Sequence, residues 1–301
     1  MGRAVVSKVR FFAYAAVFLF WGASFLAIRE IVLVAPPFLA AGVRFTAAGL
    51  ILLAVGFPRR KAWPSGNEIR STVWLGLVFF AVNYACVFWA EQRVASGYAA
   101  IVSSTLPVWI FAGEWLWLRS IRPTRAGLMG MAFGIAGVIL LVLPGGGKGS
   151  RTAALVLLFG VLCWTFGTLW SRRLSVPKSR YANAGLQMFT GGVVLLLLSG
   201  AAGEMKGLPE VMSHWTIRLT LDMAYLVIAA SILAFLAFIW LIDHEPAGRV
   251  SSYAYINPLI AVTLGAAVAG ERLAPVQLAG AALVLTGVVV TLRARAEPLR
   301  R

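Results

Sequence analysis

Ten long blocks of apolar residues divide this chain, and the short segments between them carry most of its charge. A helix needs about 20 apolar residues to cross the hydrocarbon of a bilayer, and long apolar blocks are typical of such helices. We therefore predict an all-α integral membrane protein with ten transmembrane helices. The predicted spans are 11–28, 37–57, 73–90, 96–118, 126–143, 152–170, 184–202, 223–242, 247–269 and 275–292.

The composition agrees with a membrane protein and disfavours a soluble one. Of the 301 residues, 60% are hydrophobic and 13% are charged, whereas soluble domains average about 25% charged residues. The net charge of +16 comes from basic residues between the apolar blocks, which favours contact with anionic lipid headgroups over binding of nucleic acid. Both cysteines, Cys86 and Cys163, lie inside apolar blocks, so we predict neither a disulfide scaffold nor a metal site.

The basic residues also predict which way the helices run. With the N-terminus inside the cell and all ten spans retained, 19 of the 27 Lys and Arg residues fall on the inner side, 7 fall on the outer side, and Arg44 lies within a span. Cytoplasmic loops of membrane proteins are enriched in Lys and Arg. We therefore predict a multi-pass protein of a bacterial cytoplasmic (inner) membrane, with both termini in the cytoplasm.

The two halves of the chain share a pattern of residues, which predicts one five-helix repeat over residues 1–146 and a second over 147–301. Since each half has an odd number of spans, the two repeats are inverted relative to each other. Transporters built this way bind their solute near the midplane, so we expect a central cavity. The paired residues are Trp21 with Trp164, Gly42 with Gly185 and Arg44 with Gln187 at a shift of 143; Trp89 with Trp240, Gly97 with Gly248 and Pro107 with Pro258 at a shift of 151; and Gly130 with Gly280 and Gly137 with Gly287 at a shift of 150.

Several short motifs resemble those of one transporter group. They are Phe20-Trp21-Gly22-Ala23-Ser24-Phe25 in span one, Arg44-Phe45 in span two, Pro107 in span four, Asn257-Pro258 in span nine, and Gly270-Glu271-Arg272-Leu273 with Pro275 and Gln277-Leu278 where span ten begins. Over nearly its whole length the chain resembles the drug/metabolite transporter superfamily, and within it the EamA-like family with two EamA-like domains, nearest the amino-acid and metabolite exporter branch. The resemblance implies a cavity lined by spans one, three, four, six, eight and nine.

The first half departs from this pattern at one place. Arg119-Ser120-Ile121-Arg122 stands there in place of a Gly-Glu-Arg turn, and Glu114 comes earlier. The role of that turn in the first half is therefore left open.

Two charged residues lie inside predicted spans, where a charge costs at least roughly 2.5–3.5 kcal/mol. Arg44 either attracts a substrate carboxylate or has a structural role, bonding carbonyl groups or reaching towards the interface. Glu114 is the only carboxylate that we place within a span, and it is a candidate proton site. The alternative is that Glu114 pairs with a basic residue at the inner surface.

Polar and aromatic residues on the expected lining helices are candidates for solute contact. Rings offer apolar faces to a solute, and they attract an ammonium group. Pro107 and Pro258 fall at equivalent places in the two halves, where each removes a backbone hydrogen bond, so they are candidate kink or gating residues. The candidate substrate-binding and cavity residues are Trp21, Ser24, Phe25, Arg44, Asn83, Tyr84, Ser103, Ser104, Trp109, Trp164, Thr168, Gln187, Tyr253, Tyr255 and Asn257.

These patterns favour a secondary transporter or facilitator that exports small organic solutes by alternating access. Amino acids, including aromatic ones, or related amphipathic metabolites are the expected solutes, and neither a cofactor nor a metal is expected. The alternatives are a non-transporting membrane scaffold or receptor, and an intramembrane enzyme. An enzyme would need several titratable groups at one depth, which the spans do not supply. The sequence leaves open the solute, the direction, proton coupling and the oligomeric state, and it is compatible with a monomer.

Overall fold

The computed structural model describes residues 3–56, 64–142, 148–171, 173–245, 250, 252–294 and 297–298. Within these residues the chain is all-α except for one short strand pair, and eight helices are long and apolar enough to cross a membrane. Two shorter apolar helices, Arg125–Leu141 and Tyr253–Ala269, occupy the remaining two predicted span positions. The predicted boundary between repeats, at 146 and 147, lies outside the described residues.

The helices are numbered α1 to α10 in chain order. Between α7 and α8 lie a 3₁₀ turn, Glu204–Gly207, and a short helix, Leu208–His214. The helices are α1 (Arg3–Val32), α2 (Pro37–Gly56), α3 (Gly66–Glu91), α4 (Ser96–Trp117), α5 (Arg125–Val142), α6 (Lys148–Ser171), α7 (Arg180–Ala201), α8 (Ile217–Ile242), α9 (Tyr253–Ala269) and α10 (Pro275–Arg293).

Several helices extend beyond the apolar blocks from which they were predicted. The structure starts α3 at Gly66 where the prediction was 73, because Ser65 and Glu68 form a reciprocal capping box that satisfies the first backbone N–H groups. It starts α8 at Ile217 where the prediction was 223, because the Thr216 side chain caps that end. Hydropathy marks the part of a helix in hydrocarbon, whereas caps set where the helix itself begins.

Three helices are irregular near their middle. π-helical turns occur at Leu77–Val82 in α3 and Leu226–Leu233 in α8, which are equivalent places in the two halves. The third irregular helix is α4, which is interrupted at Ser104 and Thr105 before it resumes at Leu106. Such interruptions free backbone groups from the regular helical ladder, and they occur often at functional sites.

Helices α2 and α7 pack extensively against each other, and glycines make the contact close. Gly42 faces Leu196, and Gly49 faces Phe189. As the residue numbers rise along α2, the numbers of the facing residues on α7 fall. The two helices are therefore antiparallel. Small residues at a helix crossing let two backbones approach closely, which is how helices associate in a bilayer.

Helices α5 and α10 form a second extensive pair of the same kind. Gly130 lies against Thr291, and Gly137 lies against Val284 and the carbonyl of Gly280, so these helices also run antiparallel. Since α7 and α10 stand in the second half where α2 and α5 stand in the first, each pair joins equivalent helices of the two halves.

The remaining contacts between the halves come in matched sets. A helix of the first half packs against helices of the second half, and its equivalent in the second half packs against the corresponding helices of the first. The first helix of the first half, α1, packs against α8 and α9, while the first helix of the second half, α6, packs against α3 and α4. In addition, α4 packs against α9, where Gly97 faces Val262 and Gly265 faces Ser96. This is the pattern that a two-fold relation between the halves predicts, because such a relation maps each contact onto its exchanged counterpart.

A two-stranded antiparallel pair joins β1 (Ile121–Arg122) to β2 (Glu297–Pro298). Just before β1, Arg119 has φ of 48°, and the equivalent Gly270 of the second half has φ of 64°. Glycine adopts this left-handed conformation without a steric penalty, whereas arginine does not. The first half therefore keeps the shape of the turn although it lacks the glycine.

Candidate functional site

A cavity lies among the helices near the middle of the bundle and holds about 780 Å³ of atom-free space, its open mouth included. Five helices line it, which are α1, α3, α4, α6 and α9, so both halves of the chain contribute. The lining residues are Trp21, Ser24, Phe25, Ile28, Asn83, Tyr84, Val87, Ala100, Ser103, Ser104, Leu106, Val161, Trp164, Tyr253, Ala254, Asn257 and Pro258.

The cavity brings together ten of the fifteen residues that the sequence suggested for solute contact. Two aromatic clusters form its walls. On one side, the Trp21 ring packs 5.2 Å from the Tyr253 ring; on the other, Trp164 packs beside Tyr84, with ring centroids 6.4 Å apart. The apolar residues Ile28, Val87 and Val161, which the sequence analysis did not single out, complete the walls.

Some polar groups at the cavity are already satisfied by the protein. The Trp21 indole N–H donates to the carbonyl of Ala230 in the π-helical part of α8, at 3.0 Å. The hydroxyls of Ser24 and Ser104 donate to backbone carbonyls on their own helices. These groups hold the walls in place, so their hydrogen bonds are not available to a solute.

Other polar groups at the cavity are free. No hydrogen bond joins the side chains of Asn83, Tyr84, Ser103, Tyr253 or Asn257 to the described part of the chain. Asn257 is 6% exposed, and its amide oxygen is buried with no partner in the described ranges. A buried polar group without a partner costs about 1–3 kcal/mol, so a ligand that bonds it recovers this cost.

The two prolines each deprive one backbone carbonyl of its regular helical donor. Proline has no N–H to donate to the carbonyl four residues earlier, so Pro107 leaves the carbonyl of Ser103 without its helical donor. Pro258 does the same to Ala254, although α9 continues through it as one helix. Ser103 and Ala254 both line the cavity and occupy equivalent places in the two halves.

The cavity is electrically neutral but a cation lies just behind it. Among the described residues, all the lining side chains are uncharged. Arg44 is 1% exposed and does not line the cavity. Its guanidinium carbon lies 5.2 Å from the ring centroid of Tyr84, which separates it from the cavity, and its Nε donates to the Ser231 hydroxyl at 2.9 Å. One guanidinium nitrogen, Nη1, is buried and has no hydrogen-bond partner among the described residues.

The other predicted residues lie away from the cavity. Trp109 donates its indole N–H to Thr105, beyond the interruption of α4. Thr168 bonds the carbonyl of Trp164 one turn back on α6. Gln187 is buried in α7 and bonds Asn183 at 2.8 Å, and Tyr255 packs against the core.

The carboxylates differ from their prediction. Glu114 is half-buried in the last turn of α4 and does not line the cavity. The expectation that it is the only carboxylate within a span was wrong, because α3 extends to include Glu91, which is 0% exposed, and α8 extends to include Asp222. Both lie within one residue of a predicted span end, so hydropathy placed them in the interface.

The Gly-Glu-Arg turn of the second half joins the two halves at one end of the bundle. The carboxylate of Glu271 accepts hydrogen bonds from the Ser96 N–H at 2.9 Å, from the Ser96 hydroxyl at 2.8 Å and from the Gly97 N–H at 3.4 Å. A carboxylate at a helix N-terminus satisfies orphan N–H groups and complements the helix dipole. Glu271 therefore fastens the start of α4 to the turn after α9.

Comparisons with known proteins agree with this architecture. The inner membrane transporter YedA of Escherichia coli is 35% identical over 285 residues, which cover 94% of this chain and 90% of YedA. The transporter YvbV of Bacillus subtilis is 26% identical over 288 residues, covering 92% of this chain and 90% of YvbV. A solved crystal structure at 19% identity superposes with a TM-score of 0.62 over 94% of this chain and 97% of its own, which shows a shared fold.

The sequence profile of the EamA-like transporter family matches the chain twice, at residues 10–143 and again at residues 151–293. The two matches together span most of the chain, and each covers one set of five helices. This chain therefore belongs to the EamA-like transporter family of the drug/metabolite transporter superfamily and carries two EamA-like domains.

Proposed function

We propose that this protein carries small organic solutes, amino acids and related amphipathic metabolites among them, out of the cell across a bacterial inner membrane. The central cavity supports this proposal more directly than any other feature. It has aromatic walls, and its free polar groups belong to both halves of the chain. A site between two repeats is the arrangement that alternating access requires, because movement of one repeat against the other exposes the site to each side in turn.

The proposed architecture is a pair of inverted five-helix repeats, residues 1–146 and 147–301, around this cavity. Antiparallel packing of the equivalent helices α2 and α7, and of α5 and α10, supports it, since equivalent helices of inverted repeats run in opposite directions. The distribution of Lys and Arg supports an orientation with both termini in the cytoplasm.

The chemistry of the lining supports a zwitterionic solute with an apolar or aromatic side chain. The carbonyls of Ser103 and Ala254 and the amide oxygen of Asn257 are acceptors, which suit an ammonium group. The faces of Trp21 and Trp164 attract the same group and pack against apolar surface. Arg44 behind Tyr84 supplies a positive potential for a carboxylate.

The packing of α4 supports an inward-facing conformation. Its first part, Ser96–Ser103, packs against α9, whereas Leu106–Ala112 packs against α5, α6 and α10. Helices α4 and α9 therefore separate beyond Ser104. In the proposed orientation Ser96 lies at the outer face, so the outer side is closed, fastened by Glu271, and the cavity opens towards the cytoplasm.

Flux through the purified protein in liposomes tests this function. Vesicles that contain the protein should accumulate labelled aromatic and branched-chain amino acids by counterflow, and should discriminate against dianionic solutes, because all the lining side chains in the described part of the chain are uncharged. Absence of flux across a broad panel of zwitterions would contradict the proposal.

Two tyrosines of α9 provide a matched control for the site. Tyr253 lines the cavity, whereas Tyr255, two residues along the same helix, does not. Tyr253→Phe should raise the KM for solute about fivefold or more, because it removes a free hydroxyl worth about 1 kcal/mol or more, and Tyr255→Phe should leave the KM unchanged. If both substitutions change the KM equally, the solute does not bind next to Tyr253.

The open cavity disfavours the main alternative. A non-transporting scaffold or receptor needs no solvated space at its midplane, and its packing would be continuous there. An intramembrane enzyme is also disfavoured, because the lining within the described residues contains no carboxylate, histidine, lysine or cysteine.

A further inference from the structure

Glu91 lies at the end of the cavity-lining face of α3. Asn83 and Val87 both line the cavity, and Glu91 follows Val87 by four residues in the same α-helical segment, Asn83–Glu91. Residues four apart lie on the same face of a helix. Glu91 therefore occupies the same face, one turn beyond the cavity, towards the end of the bundle where α4 begins.

The side chain of Glu91 is completely buried, and within the described residues neither of its carboxylate oxygens has a hydrogen-bond partner. Two other carboxylates at this end of the bundle do have hydrogen-bond partners. Glu271 accepts two hydrogen bonds from Ser96 and one from Gly97, and Glu204 accepts bonds from the first N–H groups of α2. An ionised carboxylate that is buried without partners costs several kcal/mol, whereas a protonated one is neutral and carries an O–H donor.

The charged groups around Glu91 come from three other elements. Arg29 of α1 donates to the backbone carbonyl of Glu91, not to its carboxylate. Arg44 of α2 and Glu271 of the turn after α9 lie within electrostatic range. The Glu271 carboxylate accepts three hydrogen bonds, and its charge opposes a second negative charge on Glu91.

We propose that Glu91 is a proton-binding site that couples solute movement to the pH of the outer face. The carboxyl group holds a proton while the ends of α1, α3 and α4 enclose it, and it releases that proton to water at the outer face when those ends separate. Glu91 then binds a proton more tightly in the outer-closed conformation than in the outer-open one. Proton binding therefore shifts the population towards the outer-closed conformation. The inference rests on the proposed transport function and names the ion that regulates it.

Counterflow in liposomes with the pH set independently on each face tests this site. The wild-type rate should change about fivefold or more when the outer face is taken from alkaline to acidic, the size typical of a coupling between sites, and should respond less to the inner pH. Glu91→Gln keeps the shape and fixes the neutral state, so it should carry solute at a rate independent of the outer pH. Glu114→Gln is the matched control and should respond as the wild type does.

The outcomes separate this inference from the proposed function. Wild-type flux that ignores the outer pH, or a Glu91→Gln variant that keeps the full response, would overturn the proton site and leave transport standing. Complete absence of wild-type flux would instead contradict the transport proposal. Infrared difference spectra of the wild type give a second readout that needs no variant. Shifting the closed and open populations with solute should change a carboxylic-acid C=O band, and a flat spectrum there would overturn the proposal.

Discussion

Replacing Asn257 with leucine is expected to weaken solute binding by about 5- to 150-fold, the equivalent of the 1–3 kcal/mol associated with a buried hydrogen bond. The amide oxygen of Asn257 is buried at the cavity and has no partner within the part of the chain that the structure describes. Leucine has a similar size, so it keeps the packing of α9 and removes the acceptor. The expected result is a raised KM for an amino acid, measured by initial rates of counterflow, with a thermal unfolding midpoint that is unchanged or higher, because leucine also removes a buried polar atom that has no partner within the described residues.

Thr263→Val on the same helix is the control for this prediction. Thr263 is exposed on the side of α9 away from the cavity, and its hydroxyl bonds the carbonyl of Leu259. Both substitutions remove one polar group from α9, but only Asn257 contacts the proposed solute. If the two variants have the same KM as the wild type, Asn257 is not a solute ligand.

Gly192→Ala should destabilise the protein by about 1–3 kcal/mol, the usual cost of overpacking a close contact. A Cβ at Gly192 would meet the backbone nitrogen and the hydroxyl of Thr46, where α7 crosses α2. Because backbone cannot move aside as a flexible side chain can, the helices must separate. We expect a lower thermal unfolding midpoint in detergent, and we expect Gly192→Leu to abolish the folded, monodisperse protein.

Gly200→Ala in the same helix should instead stabilise the protein. A Cβ there meets nothing within 4 Å, and alanine in place of glycine within a helix stabilises by roughly 0.5–1 kcal/mol. Midpoints that fall equally for Gly192→Ala and Gly200→Ala would mean that the crossing of α2 and α7 does not limit stability.

The sequence predicted the helical positions well because burial in lipid demands long apolar blocks with internally satisfied backbones. It also predicted residues on both walls of the cavity. Trp21 and Trp164 stand at equivalent places in the two halves, and both line the cavity. The proposed inverted repeat predicts this pairing, because equivalent side chains would then approach the cavity from opposite sides.

The predictions that missed the cavity depended on local geometry that periodicity does not report. Trp109 lies beyond the interruption of α4 at Ser104 and Thr105, and it donates its indole N–H to Thr105 and does not line the cavity, although Ser103 does. Tyr84 covers Arg44, a contact between α2 and α3 that only tertiary packing decides. Glu91 follows a predicted span end by one residue, and its complete burial depends on tertiary packing that hydropathy does not report.

Access to the cavity from each face of the membrane tests the central claim most directly. Ser103→Cys, in a chain whose Cys86 and Cys163 are replaced by alanine, puts a single thiol on the cavity wall. In right-side-out and inside-out vesicles, a membrane-impermeant maleimide should label this thiol from both faces, and an amino-acid substrate should slow the labelling from each. Labelling from one face alone under every condition, or from neither, would contradict alternating access.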